Sequence, residues 1–571
     1  MNDDVAGGLE EPAELQPEQG DLRLAAPEDD WSQADWERAA AGVLRKSGRL
    51  AESDPDDAVW AALTRTTYDG IAIPPLGTRG TLDGLETTGR PGRVGGWDIR
   101  VRHTGDHAAA VDELANGATS LWVVADEVEA GELAGALEGV RLDQTPVVLL
   151  DPSLAHAEAL VALAPLHPDS NLGATADDDL ESFVRLARQA GIRAFVSDGT
   201  DVHERGASDG QELGWVLARG AELLRSLEDA GVGPDVTLDL VEIRLAATGE
   251  QFLTIAKMRA ARRLWGRLAE LCGVADSQTR IHAVTSRVMT SAYDVHTNML
   301  RGTVAAFAAG VGGADAITVV PYDEPTGVVS PAARRIARNV SSLLIAESHV
   351  AAVADPAGGS YAIEKLTDDL CRVAWAELGR IDQDGFEAFD ARVADVSARR
   401  DADVATRRRP IVGLSQFPNP ADPVPECRNL VPRWGAAYEA LRRDPAPAHV
   451  FLATMGPLAQ HASRAAFATN LLAAGGVAVD VVGATSGVDD LMAAYDGQPV
   501  VCLAGRDAAY AEWGSEAAQA LRGAGARHVI VVSTGSNGDR SSTDAPEWAD
   551  DSCAPGVDAI AFLTRTREAL R

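Results

Sequence analysis

Five cations crowd one stretch of the chain, FLTIAKMRAARRLWGRL at residues 252–268: Lys257, Arg259, Arg262, Arg263 and Arg267. Leu253, Ala256, Ala260, Leu264 and Leu268 recur every three or four residues there, which predicts one apolar stripe of a helix. Ala261 and Trp265 widen the stripe. The whole chain has a formal charge of −34, so this cationic density stands out. Two chemistries fit it. The cations pair with acidic neighbours in the wall of a larger fold, or they seat an anion such as a phosphorylated acyl carrier, with Lys257, Arg259 and Arg262 as the candidate contacts. Helix spacing does not choose between the two.

Other chemistry is thinly spread. The five cysteines stand at 272, 371, 427, 502 and 553 without a CxxC pair. That pattern predicts reduced thiols and a cytoplasmic location, not a disulfide frame or a zinc site. No GxxxxGK[ST] occurs, which argues against a nucleotide-driven assembly factor. The acidic excess argues against nucleic acid or an anionic membrane as partner. No apolar run reaches the roughly 18 to 20 residues that a membrane helix needs. The start of the chain lacks a basic segment followed by an apolar one, so no signal peptide is expected.

The elements that must position these residues are read next. With 571 residues the chain is too long for one core. Residues 1–30 hold ten acidic side chains and one arginine, which predicts a solvated tail. Residues 31–95 read as a helix (31–50) and an extended arm, TRTTYDGIAIPPLGT at 64–78, suited to partner contact. Eight short strands, most of them Val-, Ile- or Leu-rich, follow at 97–103, 120–124, 145–151, 192–198, 237–245, 280–286, 316–323 and 350–354, mostly separated by helix-length segments. That alternation predicts an α/β fold, a (β/α)8 barrel over 96–398. Residues 399–447, rich in Arg, Asp and Pro, read as a linker wrapping the surface. Strands at 449–453, 477–482, 499–503, 528–532 and 558–562 then predict a flavodoxin-like domain over 448–571, with an exposed polar loop between Ser533 and Pro555.

Several motifs resemble the methylmalonyl-CoA mutase family in chain order. The helix at 252–268 is similar to its KxRAARxLW helix, GGWDIRVRH (95–103) to its PWxIRQY strand, RRIARNVSSLLIAESH (334–349) to its RIARN helix, and DPAGGSYAIEKLT (355–367) to its DPxxGSYxxExLT segment. The resemblance implies a TIM-type barrel followed by a cobalamin-binding-type domain. It also implies adenosylcobalamin chemistry that interconverts (R)-methylmalonyl-CoA and succinyl-CoA by radical rearrangement.

The family's working positions are substituted here. Gly92 stands where catalytic chains have a tyrosine, and Asp201 in DVHERGAS replaces the histidine that contacts the substrate carbonyl. His203 is two residues away and reads as a loop histidine unless the strand is shifted. In ATMGPLAQHASRA (453–465), Thr454 replaces a lysine. One register puts His461 at the cobalt-ligand position, with Ala459 and Arg464 in place of the family's Asp and Gly; the other puts Gln460 there. CLAGR (502–506) replaces a Ser-x-Leu that accommodates the cofactor's nucleotide tail, and Ser533-Thr534-Gly535 replaces a Gly-Gly. Only about 40 residues separate the strands at 145–151 and 192–198, and DSNLGATADDD (169–179) resembles the shorter connection of the family's small subunit.

The resemblance with these losses implies a small (beta), non-catalytic subunit of a heterodimeric mutase, partnered by the catalytic large (alpha) subunit. No catalytic residue and no metal are expected on this chain, His461 being the runner-up cobalt ligand. Adenosylcobalamin and the acyl-CoA substrate would sit on the partner. The barrel bore could still admit a pantetheine arm. The alternatives are an active acyl-CoA mutase with altered substrate and cobalamin attachment, and a non-enzymatic assembly or protection factor.

Overall fold

The structure is a computed structural model that describes residues 30–85, 93–275, 277, 280–425, 431–533 and 545–571. Most of the expected acidic tail, Gly92, Cys427 and Thr534-Gly535 lie outside the described residues. Residues 30–67 with 72–76 form one compact unit, and 68–71 with 77–571 another.

In the first unit, helix α1 (Gln33–Lys46) begins where the sequence offers a capping box. The Ser32 hydroxyl accepts from the Asp35 N–H at 3.3 Å, and the Asp35 carboxylate accepts from the Ser32 N–H at 3.2 Å. Ala41 and Leu44 of α1 are buried with Val59, and Trp36 lies 4.8 Å from Trp60. Arg65–Thr66 pairs antiparallel with Ala72–Ile73.

The second unit holds a closed eight-stranded barrel. Its strands are β1 (Asp98–His103), β2 (Ser120–Val124), β3 (Val147–Leu150), β4 (Asn171–Ala174), β5 (Arg193–Asp198), β6 (Val241–Ala247), β7 (Arg280–Thr285) and β8 (Ala316–Thr318). All run parallel, and β8 closes the ring by pairing Ala316 with both Asp98 and His282. Two expectations are corrected here. The stretch 350–354 is a 3-10 turn (Val350–Ala352), since a closed ring offers no edge for a further strand. Its place is taken by β4, read from sequence as part of a connection. Within 237–245 the first residues belong to the helix Pro234–Asp239, started by a proline at its N-terminus, and β6 begins only at Val241.

Helices α2 (Asp209–Asp229), α3 (Gln251–Leu271) and α4 (Thr297–Val311) pack on this barrel. The α5 segment (Tyr361–Ala405) is broken at Gly385, whose φ of 81° only glycine adopts freely. Its second arm runs into the stretch read as a linker, which also carries α6 (Ala436–Arg443). Arg400, Arg433 and Arg442 there are buried, so the segment is anchored in the unit at these points.

The C-terminal sheet is parallel with order β10-β9-β11-β12-β13, where β9 is Val450–Thr454, β10 Val479–Val481, β11 Val500–Ala504, β12 His528–Val532 and β13 Asp551–Cys553. This is the flavodoxin-like order. Helix α7 (Leu458–Ala474) follows β9. The strand expected at 558–562 is the start of helix α8 (Ala559–Ala569): the Asp558 carboxylate caps the Ala561 N–H at 3.0 Å, and Ala559, Phe562 and Leu563 recur at helical spacing. The true last strand lies in the run read as a loop. No helix among the described residues is long and apolar enough to cross a membrane.

Candidate functional site

The cationic helix is α3, and three of its charges, Lys257, Arg259 and Arg262, turn inward. Lys257 is fully buried, with Nζ 2.6 Å from Glu212 and 2.8 Å from Asp209, both on α2. Arg259 donates to Asp355 and, at 2.8 Å, to Glu364. Arg262 reaches the Asp315 carboxylate at 2.9 Å and the Gly313 carbonyl at 2.8 Å. Burial alone would lower the Lys257 pKa, but the two carboxylates outweigh it and drive the group further toward the ammonium form. Pairing with acidic neighbours, the first of the two readings, is what the geometry supplies.

The barrel interior is equally occupied. Arg100 of β1 reaches across it to Glu242 of β6, with N–O distances of 2.7 and 3.3 Å, and both side chains are fully buried. Arg280 of β7 lies 3.4 Å from the same Glu242 and also pairs with Asp98. Burial opposes the Glu242 charge, yet the Arg100 and Arg280 guanidinia hold its carboxyl below the ordinary range. His282 of β7 is buried and neutral, because burial and the same arginines depress its pKa. A pantetheine arm threading this bore would have to displace the Arg100–Glu242 pair.

At the carboxyl ends of the strands, where barrel enzymes place their chemistry, lies a cavity of about 930 Å³. Asp201 lines it, exposed at the start of the helix Thr200–Glu204 and paired with Arg205 at 3.1 Å. His203 is buried; its Nε2 shares a 2.8 Å hydrogen bond with the Ser286 hydroxyl. The cavity therefore meets a carboxylate at position 201, and the imidazole at position 203 is buried. Sequence reasoning missed Trp122 of β2, Asp151 and Arg244 of β6, all lining the cavity. Arg244 contacts Asp198 at 2.6 Å and stacks 4.6 Å from the Trp122 ring centre. An arginine inside the apolar strand VEIRLAA was the available signal.

In the C-terminal domain the expected cofactor positions are built into the fold. The Thr454 hydroxyl lies 2.6 Å from the Gly483 carbonyl and 3.0 Å from that of Val482, tying β9 to the end of β10. His461 sits in the first turn of α7, buried, with Nδ1 donating to the Gly456 carbonyl at 3.0 Å. That bond fixes a tautomer with a basic Nε2, the one feature compatible with a metal-bound imidazole. The rest does not fit a corrin. The topological switch point lies between β9 and β11. There the Met455 N–H donates to the Ala504 carbonyl at 2.8 Å, and a Cβ on Gly505 would stand 2.7 Å from the Met455 side chain. Arg464 donates to the Gly505 carbonyl and, at 2.7 Å, to Asp507. The Tyr510 hydroxyl accepts from the Gly505 N–H at 2.9 Å and lies 2.8 Å from the Val532 carbonyl. These side chains fill the crevice that a nucleotide tail would need.

Comparison with known proteins follows the same line. A family model described as methylmalonyl-CoA mutase matches residues 188–440. The chain is 39% identical to the methylmalonyl-CoA mutase small subunit of Streptomyces virginiae, over 96% of this chain and 98% of that protein. It is 37% identical to the probable methylmalonyl-CoA mutase small subunit of Mycobacterium bovis, over 87% of this chain and 91% of that protein. The methylmalonyl-CoA mutase large subunit of Streptomyces virginiae is 33% identical over 38% of this chain and 31% of its own length.

Proposed function

Since the chain belongs to the methylmalonyl-CoA mutase family, we propose that it is the small, non-catalytic subunit of a heterodimeric, adenosylcobalamin-dependent mutase acting in the cytoplasm. Its role is to bind the folded catalytic large subunit and stabilise it by mass action. The carrying observation is the Arg100–Glu242 pair, which crosses the barrel with both side chains fully buried. Opening that bore to an acyl-CoA would leave a buried charge unpaired, at a cost of roughly 3–5 kcal/mol. Asp201 at the cavity rim and the filled β9–β11 crevice support the same reading. On this reading adenosylcobalamin and the acyl-CoA are held by the large subunit. Lys257, Arg259 and Arg262 serve the barrel wall, and the segment 31–95 contacts the partner.

The test is to purify this chain alone and together with its large partner, then record corrin absorbance and methylmalonyl-CoA turnover for each. A colourless, inactive lone chain with a coloured, active pair is the expected result. A lone chain that takes up cobalamin or turns over substrate overturns the proposal, and His461→Ala then asks whether its imidazole is the ligand.

A further inference from the structure

The segment that leads from the barrel into the C-terminal domain is held by residues from near the start of the chain. Residues 68–71 belong to the second unit, while the hairpin strands on either side of them, Arg65–Thr66 and Ala72–Ile73, belong to the first. This hairpin tip is fixed at two points. The Asp69 carboxylate accepts from the Ser208 hydroxyl at 2.5 Å and from the Gly210 N–H at 3.2 Å, at the start of α2. The Tyr68 hydroxyl donates at 3.0 Å to Asp403, on the second arm of α5. The Tyr68 ring then meets two cations. The Arg400 guanidinium lies 4.9 Å from its centre and the Arg409 guanidinium 5.9 Å. Both also face Trp434, at 5.5 and 4.6 Å from its ring centre. Like charges this close repel, and the electron-rich ring faces that they share offset the repulsion. Arg400 has further anchors, donating to the Gly206 and Ala207 carbonyls at 2.7 and 3.2 Å. Arg409 has only Glu250 as an ion pair, at 3.5 Å, so its place depends more on the rings. Trp434 in turn packs against the C-terminal core, which includes Val450, Leu471 and Phe562, and its backbone N–H donates to the Val288 carbonyl at 2.9 Å.

We propose that the hairpin tip is a strap that couples the N-terminal hairpin to the seating of the C-terminal domain: Tyr68 holds Arg400 and Arg409 against Trp434, and Trp434 holds α6 and β9. Displacing the tip loosens α6 and β9 while the barrel stays closed. Loosening the Trp434 side frees the tip in return, because such coupling is reciprocal. The coupling is intrachain and stands whatever the N-terminal unit binds.

Hydrogen exchange of the intact chain, followed peptide by peptide, tests this. Tyr68→Leu keeps apolar bulk and removes the ring face. Exchange in α6 and β9 should then rise about tenfold, with β2 of the barrel unchanged. Tyr68→Phe keeps the ring face and should leave α6 and β9 near the parent rate. Arg409→Gln alters a partly exposed position and should speed exchange in residues 67–71 as well as in α6. Unchanged α6 and β9 in Tyr68→Leu, an equal rise in β2, or a Tyr68→Phe response as large as that of Tyr68→Leu overturns the proposal. If Tyr68→Leu does not fold, Arg409→Gln decides: an unmoved 67–71 or an unmoved α6 overturns it.

Discussion

Arg100 and Glu242 meet inside the barrel at 2.7 Å, with neither side chain touched by solvent. They lie on β1 and β6, and the pair is a charge-assisted contact in a low-dielectric interior. Arg100→Met leaves Glu242 buried with Arg280 as its remaining close cation, and should lower stability by about 3–5 kcal/mol in denaturant unfolding. The double variant Arg100→Met/Glu242→Leu should recover part of that loss. Equal losses in the single and double variants would show that the pair does not act as a unit.

Lys257 and Arg267 share a helix but not an environment. Lys257 is fully buried between Glu212 and Asp209, whereas Arg267 and its partner Glu270 are 57% and 59% exposed. Lys257→Met should destabilise the chain by about 3–5 kcal/mol. Arg267→Gln should stay within about 0.5 kcal/mol of the parent. Chemical denaturation of both variants in one buffer checks the contrast.

Asp69 gives stability a pH dependence. Burial, with the nearby Asp209 charge, raises its carboxyl from 3.8 to about 6, although the Ser208 hydroxyl and the Gly210 N–H pull the other way. The folded chain therefore holds this proton where the unfolded chain has released it. The resulting stability is full below about pH 4 and is lost as pH rises through 6, a change of about 3 kcal/mol. Asp69→Asn should flatten that slope in unfolding experiments between pH 4 and 7.

The Tyr510 hydroxyl closes the crevice of the C-terminal sheet, accepting from the Gly505 N–H at 2.9 Å. Tyr510→Phe leaves that buried donor without its acceptor and should cost about 1–3 kcal/mol. Loss of stability without any gain in corrin absorbance on incubation with cobalamin is the expected outcome.

Helix α2 approaches α3 closely at Gly220, where an added Cβ would stand 2.4 Å from the Trp265 ring. Gly220→Ala should therefore destabilise by about 1–3 kcal/mol through overpacking, despite alanine's better helix propensity. Thermal unfolding compared with Gly266→Ala, where a Cβ meets open space, separates packing from propensity.

The barrel was legible because β2, β5 and β7 are short apolar runs in a rhythm that crossover helices impose. β4 was not: NLGA has a glycine at φ 77°, and a Cβ there would stand 2.1 Å from the Leu149 carbonyl oxygen. A strand shaped by such close approach carries no hydrophobic signature. The run 350–354 carries one, yet the ring was already closed by β8 pairing with β1. The start of α8 misled in the same way, since a short apolar run suits strand and helix alike until its cap is seen. Among the site residues, Asp201 was found from sequence because it departs from a motif. Trp122 and Arg244 escaped because they sit within ordinary strands.

The sequence by itself determined the family and the apolar stripe of α3, since these are properties of residue type and local spacing. The tertiary structure alone decided what the cations do. Lys257 meets Glu212 across 45 residues, Arg262 meets Asp315 across 53, and Arg259 meets Glu364 across 105. Those carboxylates are no more acidic in sequence than many others. They become partners only when the barrel closes and burial makes an unpaired charge too costly to keep.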